Sequence, residues 1–323
     1  MAYSEYTIPE PNRQAEILSD KSSTGRERPW REKKMANELL ATAYESVNPD
    51  KSGRLRQCGD FLTFTILTDG NKKLKTMNSC RVRLCPLCTW RRSLKVQAHT
   101  IEILNAMGDK YAYLFLTLTV KNCSGAELSD TLDLMFDAWK RLMERKQFKQ
   151  AVKGWYRGLE VTHNTDWTSQ SYDTYHPHFH VVLAVNKRYF TSDYIKHEDW
   201  VNLWKKSLRA DYVPVVDVRR VKGHTAKAVA EAAKYSVKDA DYIIPDDWDL
   251  TIGTVRILDK ALENRRLVAY GGLMKELHKK LNLDDEESGD LVNVDQDNSA
   301  AEPTEREEVY WWFTGYRQYI RRA

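Results

Sequence analysis

The spacing of apolar residues divides the chain into segments of different period. After Pro29-Trp30, Met35, Leu39, Leu40 and Ala43 recur at helical intervals, predicting a helix over Arg31 to Val47 that Pro49-Asp50 ends. Two short runs, Phe61 to Leu67 and Lys72 to Met77, flank Asp69-Gly70-Asn71 and predict a hairpin. From residue 111 the pattern becomes regular. The apolar run Tyr113 to Val120 predicts a buried strand, and Ser124-Gly125-Ala126-Glu127 is a capping box. Leu128, Leu132, Met135, Phe136, Trp139, Leu142 and Met143 then form one helical stripe, a core face. A strand from about Trp155 to His163 and a loop rich in Asp, Ser and Thr lead to a third strand through Val181 to Val185. An amphipathic helix follows over Ser192 to Arg209, then a strand over Pro214 to Lys222. Strand, helix, strand, strand, helix, strand is the βαββαβ order of a ferredoxin-like antiparallel sheet, so the expected class is α+β.

Downstream, a helix is expected from Thr225 to about Asp239, and Leu250 to Leu283 mixes helix with the strand-like Arg266 to Tyr270. The expected organisation has five parts. Residues 1–29 form a flexible arm, 30–110 a helix with a cysteine-rich subdomain, and 111–283 the main domain. Residues 284–308 form an acidic linker, and 309–323 a tail built from Tyr310-Trp311-Trp312-Phe313 and a basic end.

Composition narrows the class. With 42% hydrophobic and 30% charged residues, a 323-residue chain is a soluble globular protein with a sizeable core. No apolar run approaches the roughly 18 residues of a membrane span, and the polar N-terminus lacks a signal-peptide core, so the expected compartment is the cytoplasm. The net charge of +4 conceals an asymmetry: Asp284 to Glu308 holds 11 acidic residues and one basic, −10, leaving +14 elsewhere. A body that basic suits a polyanion, and ten tryptophans and seventeen tyrosines offer stacking surfaces for bases.

Four of the five cysteines, Cys58, Cys80, Cys85 and Cys88, lie in one short region, and Cys85-Pro86-Leu87-Cys88 is a tight knuckle. Four thiolates gathered by such turns suit tetrahedral Zn²⁺, whereas a disulfide framework does not fit a cytoplasmic chain. Lys72, Lys73, Lys75, Arg81, Arg83, Arg91 and Arg92 surround the set, which points to DNA contact. Cys123 stands apart as an ordinary thiol.

The strongest chemical signal is His176-Pro177-His178-Phe179-His180 at the head of the third strand. Alternation puts all three imidazoles on one face, roughly 7 Å apart per two-residue step. Glu160, on the preceding strand of the same hairpin, is the best carboxylate partner, because a buried-strand glutamate needs one. Either Glu160 or His176 completes a metal set with His178 and His180. Such mixed ligation suits Mn²⁺ or Mg²⁺ with positions left for phosphate oxygens. In the helix after the sheet, Glu231, Tyr235 and Lys238 fall near one face. A nearby Lys and a metal would favour phenolate, making Tyr235 a candidate nucleophile toward a phosphodiester. Tyr242, Tyr175 and Tyr270 qualify by residue type alone.

Together these residues resemble the HUH endonuclease superfamily, specifically the single-tyrosine rolling-circle replication initiators of small Gram-positive plasmids, over about residues 30 to 320. Phe115-Leu116-Thr117-Leu118-Thr119 looks like the family's first motif, His178-Phe179-His180 its metal motif, and Tyr235-Ser236-Val237-Lys238 its nucleophile motif. The resemblance implies a nuclease on an HUH core that cuts single-stranded DNA at a hairpin origin with flanking duplex, through a 5′-phosphotyrosyl link. The freed 3′-OH would prime a host polymerase aided by a host helicase. Glu231 matches the glutamate thought to activate water for the terminating cleavage. The histidine strand is also similar to histidine-triad nucleotide hydrolases, but those have no place for the cysteine set or the Tyr-x-x-Lys helix. A zinc-dependent DNA-binding regulator without catalysis is a further alternative, as is an HUH transposase or relaxase.

Overall fold

The structure, a computed structural model, describes residues 16–22, 25–221, 241–294 and 301–321. The expected helix carrying Glu231, Tyr235 and Lys238 lies outside the described residues. The chain forms two compact units, Met1–Arg91 with Asp290–Ala323, and Arg92–Gly289.

The first unit is a five-stranded antiparallel sheet, in the order β1 (Glu16–Ile17), β10 (Gln318–Arg321), β9 (Pro303–Phe313), β2 (Phe61–Leu67) and β3 (Lys72–Met77). The expected hairpin is β2–β3. Helix α1 (Trp30–Glu45) stops short of Pro49-Asp50, and that dipeptide opens a second helix, α2 (Pro49–Gln57). Proline at the first helical position costs no hydrogen bond, and the Asn48 side chain accepts from the Lys51 N–H at 3.0 Å. Trp30 packs edge-on against Phe64 and Trp90, and Phe64 against Tyr310. The aromatic run 310–313 thus lies within β9 instead of trailing from the sheet, with Tyr310 in the core and Trp311 exposed.

The acidic stretch also differs from a solvated tether. Residues 303–308 open β9, where Glu307 pairs with Lys75 and the buried Glu308 lies 3.3 Å from Lys72 and 3.0 Å from Arg321. Two of the lysines expected to face DNA therefore pair with acids of β9, Lys75 at the surface and Lys72 beside the buried Glu308. Arg91 and Arg92 are also not surface contacts, since both are buried. Arg91 donates to the Leu291 and Val292 carbonyls and lies over the Trp30 and Trp90 rings, where its planar cation replaces water with π faces and backbone acceptors.

The division between units falls inside α3 (Pro86–Met107). The second unit is a five-stranded antiparallel sheet in the order β7 (Val216–Arg220), β4 (Tyr111–Thr119), β6 (Thr174–Asn186), β5 (Val152–Asn164) and β8 (Val268–Gly272). One face is covered by α4 (Leu128–Met143) and, after the short α5 (Lys146–Ala151), by α6 (His197–Leu208): Phe179 on the central strand meets Phe136, Trp139 and Trp204. Only half of the expected capping box forms. The Glu127 carboxylate accepts from the Ser124 N–H at 2.9 Å and from its hydroxyl at 2.7 Å, but the Glu127 N–H donates to the Ser124 carbonyl, and the helix starts at Leu128 with Glu127 as its N-cap. The expected helix from Ser192 begins only at His197. After α7 (Trp248–Leu262), β8 adds a fifth strand, and α8 (Leu273–Lys280) follows it directly. Gly271 is required there, because a Cβ would stand 2.1 Å from the Trp155 ring. Among the described residues no helix is long and apolar enough to cross a membrane.

Candidate metal centres

β5 and β6 form a long hairpin whose register decides what the histidines face. Glu160 stands opposite His178, Gly158 opposite His180, and Thr162 opposite His176. Directly opposed residues share a face, so Glu160 and the histidines project together. Because the partner of His180 is a glycine, no cross-strand side chain separates its ring from Glu160. On the other flank, Thr119 and Thr117 of β4 oppose His178 and His180.

The side chains converge. Glu160 Oε2 lies 2.8 Å from His180 Nε2 and 3.5 Å from His178 Nε2, and the two Nε2 atoms are 3.1 Å apart. All three residues are buried. His178 Nδ1 donates to the His176 carbonyl at 3.1 Å, which leaves its Nε2 lone pair for the cluster. Two imidazole nitrogens and a carboxylate oxygen around one point fit a shared divalent cation. Burial alone would raise the Glu160 carboxyl, but hydrogen bonds and charge from His178 and His180 outweigh it and hold the group well below the usual carboxylate range.

His176 does not join the three converging atoms. Its ring lies against that of His178, centroids 5.3 Å apart, and burial followed by the charge of His178 lowers its pKa. Of the alternative nucleophiles, Tyr175, Tyr242 and Tyr270 are all buried, and burial pushes Tyr175 up to about 12 and Tyr270 well above the ordinary phenol range.

Several further side chains extend the picture, of which only Phe115 had a signal in the residue pattern. Phe115 stacks on His180 at 5.6 Å, and Arg219 lies over Phe115 at 5.1 Å while pairing with Asp217 at 2.8 Å. Trp167, in the loop joining β5 to β6, is 81% exposed. Lys121 sits over Tyr212 at 4.3 Å, just beyond the end of β4.

In the first unit, Cys58 closes α2, Cys80 follows β3, and Cys85 and Cys88 bracket the start of α3. Their sulfurs lie 3.6 to 3.8 Å apart along the Cys58–Cys88, Cys58–Cys85 and Cys80–Cys88 edges, far beyond a disulfide. Tetrahedral zinc with Zn–S of about 2.3 Å requires edges of about 3.8 Å, so the four sulfurs fit that ion. Backbone N–H groups of Cys80 and Val82 donate to Cys58 and Cys80 sulfurs at 3.4 Å. Without a cation, hydrogen bonding from Cys80 pushes the Cys58 thiol up and burial does the same to Cys85. Lys34 is buried beside them, with Nζ 2.8 Å from the Cys58 carbonyl.

Residues 71–320 match the profile of the Replication protein family, Rep_1. Over 94% of this chain and 97% of its relative, the sequence is 39% identical to "Protein rep" of Bacillus amyloliquefaciens. It is 36% identical to "Protein rep" of Streptococcus pneumoniae serotype 2 strain D39, over 95% and 97% of the two chains. A "Replication protein" of Staphylococcus aureus is 40% identical over 59% of this chain and 82% of its own length. No solved structure matches the chain significantly.

Proposed function

The chain belongs to the Replication protein family, and on that premise we propose that it is an HUH-type initiator of plasmid rolling-circle replication acting in the cytoplasm. Its reaction would be metal-dependent, strand-specific nicking of origin DNA. The observation that carries this reading is the convergence of Glu160, His178 and His180 on one sheet face. The strand order supports it: numbering the strands of the βαββαβ unit in sequence, β7-β4-β6-β5 is 4-1-3-2, the ferredoxin-like arrangement, with β8 added outside.

Glu160, His178 and His180 would hold Mn²⁺ or Mg²⁺, which supplies polarisation of a non-bridging oxygen of the scissile phosphate. Tyr235 Oη attacks that phosphorus, forming the Oη–P bond as the P–O3′ bond breaks. The phenol proton passes to the leaving oxygen, which becomes the 3′-OH. One ester replaces another, so no other reactant is needed. Lys238 stabilises the phenolate or the phosphate charge, and Glu231 activates water for the terminating cleavage. Cys58, Cys80, Cys85 and Cys88 would hold zinc and so order the first unit, whose exposed Lys73 and Arg81 remain candidates for phosphate contact. The 3′-OH then serves a host polymerase with a host helicase.

The test uses the full chain, Mn²⁺ and labelled single-stranded origin DNA. A covalent protein–DNA adduct that disappears in Tyr235→Phe supports the proposal. Specific binding with no cleavage, or a nucleotide attached to histidine, contradicts it.

A further inference from the structure

A second set of two histidines and a glutamate lies in the Arg92–Gly289 unit, away from the HUH-type residues in sequence and with a different set of supporting groups. His99 on α3, His278 on α8 and Glu286 in the acidic stretch bring three ligand atoms together. Glu286 Oε1 is 3.1 Å from His99 Nδ1 and 2.7 Å from His278 Nε2. Glu286 is buried, as is His99. We propose that His99 Nδ1, His278 Nε2 and Glu286 Oε1 bind a zinc ion that fastens the start of the acidic stretch to α3 and α8.

Three features favour a cation over a plain ion-pair network. Both imidazoles address the same carboxylate oxygen, although Glu286 has a second one, Oε2, which faces Arg266 at 3.5 Å. The other nitrogen of His99, Nε2, faces Asp284 Oδ1 at 3.4 Å, and Asp284 Oδ2 is held by Lys95 at 2.6 Å. A neutral imidazole has one N–H, so carboxylate oxygens at both of its nitrogens leave one lone pair facing an acceptor. A cation at Nδ1 removes that conflict and lets the Nε2 proton go to Asp284, the support by which metal-bound histidines are usually oriented. Finally, two imidazoles and one carboxylate are an established zinc donor set, leaving a fourth position for water.

The consequence is mechanical. The next residue, Glu287, accepts from the backbone N–H groups of Leu267 and Val268 at 3.1 and 3.3 Å, at the start of the outer strand β8. An ion on Glu286 therefore also fixes the segment that covers that strand's first donors. This inference does not depend on the nicking reaction.

The test measures zinc per chain in full-length protein carrying His178→Ala and His180→Ala, which removes the other histidine centre. About two zinc ions per chain are expected, falling to about one when His278→Gln is added. X-ray absorption of the parent, which needs no further variant, should show a mixed shell of sulfur and nitrogen or oxygen. A sulfur-only shell in the parent, or an unchanged zinc count in a folded His278→Gln protein, overturns the proposal and leaves a metal-free imidazolium–carboxylate lock.

Discussion

Glu160 stands directly opposite His178 across the β5–β6 ladder, yet its carboxylate lies closer to His180, two residues along: 2.8 Å against 3.5 Å. The carboxylate therefore bridges two rungs of the hairpin, so its charge and its reach both matter. Glu160→Gln keeps the shape and removes the charge. Mn²⁺ affinity should fall by at least about 10-fold, with nicking falling in parallel, as isothermal titration and cleavage assays would measure. Unchanged affinity would mean that the carboxylate only orients the histidines.

The four-cysteine cluster gathers the end of α2, the end of β3 and the start of α3, which zinc would hold together through four sulfurs. Cys88→Ala should release one zinc per chain and expose the first unit to proteolysis, because a small subdomain of this kind draws its folding energy from the metal. Metal content and limited proteolysis read both effects. Retention of the zinc with an unchanged digestion pattern would remove the ion from the account.

Glu308 predicts an acid limb in stability. Burial pushes its carboxyl up, but Tyr310, Lys72 and Arg321 outweigh that and hold it below the usual range. A group depressed in the folded state contributes above its unfolded pKa, about 4.3, and loses that contribution as pH falls toward the lower folded value. Glu308→Gln should therefore lower stability near neutrality and flatten its decline below about pH 4. Thermal melts of both proteins from neutral to acid pH would show it. Parallel curves would assign the decline to other carboxylates.

Trp167 carries an indole into solvent at the tip of the hairpin that bears the metal residues. Trp167→Ala should weaken single-stranded DNA binding by about 1–3 kcal/mol, the scale of one stacked base, with no change in melting temperature. Fluorescence anisotropy measures the affinity. Equal affinities would place the DNA elsewhere.

On the opposite face, Phe179 packs among Phe136, Trp139 and Trp204 directly between the two histidines in sequence. Phe179→Ala should cost roughly 3–5 kcal/mol of stability. Denaturant unfolding would reveal that loss, and a loss under about 1 kcal/mol would show that the face repacks.

Much of the fold was legible because it is local. The hairpin boundaries at Phe61 to Leu67 and Lys72 to Met77 follow from turn chemistry, and the histidine strand from its two-residue period. The convergence of Glu160 with His178 and His180 depends on one hairpin register, which alternation nearly determines. What was not legible is long-range. Nothing in Tyr310 to Phe313 announces a partner strand at Phe61, and nothing around His99 announces Glu286 nearly two hundred residues away. Arg91 shows the other failure: composition counts a charge, whereas the fold buries it between two indoles and two carbonyls. The stretch 284–308 misled for the same reason, since Asp284, Asp285, Glu286, Glu307 and Glu308 pair with cations that only the tertiary structure brings near.

The most direct test separates the metal from the nucleophile by Mn²⁺ electron paramagnetic resonance and adduct formation on the same proteins. Tyr235→Phe should keep the bound Mn²⁺ signal and form no adduct, whereas a His178→Ala, His180→Ala double variant should lose both. Bound Mn²⁺ and adduct persisting in that double variant would contradict the account.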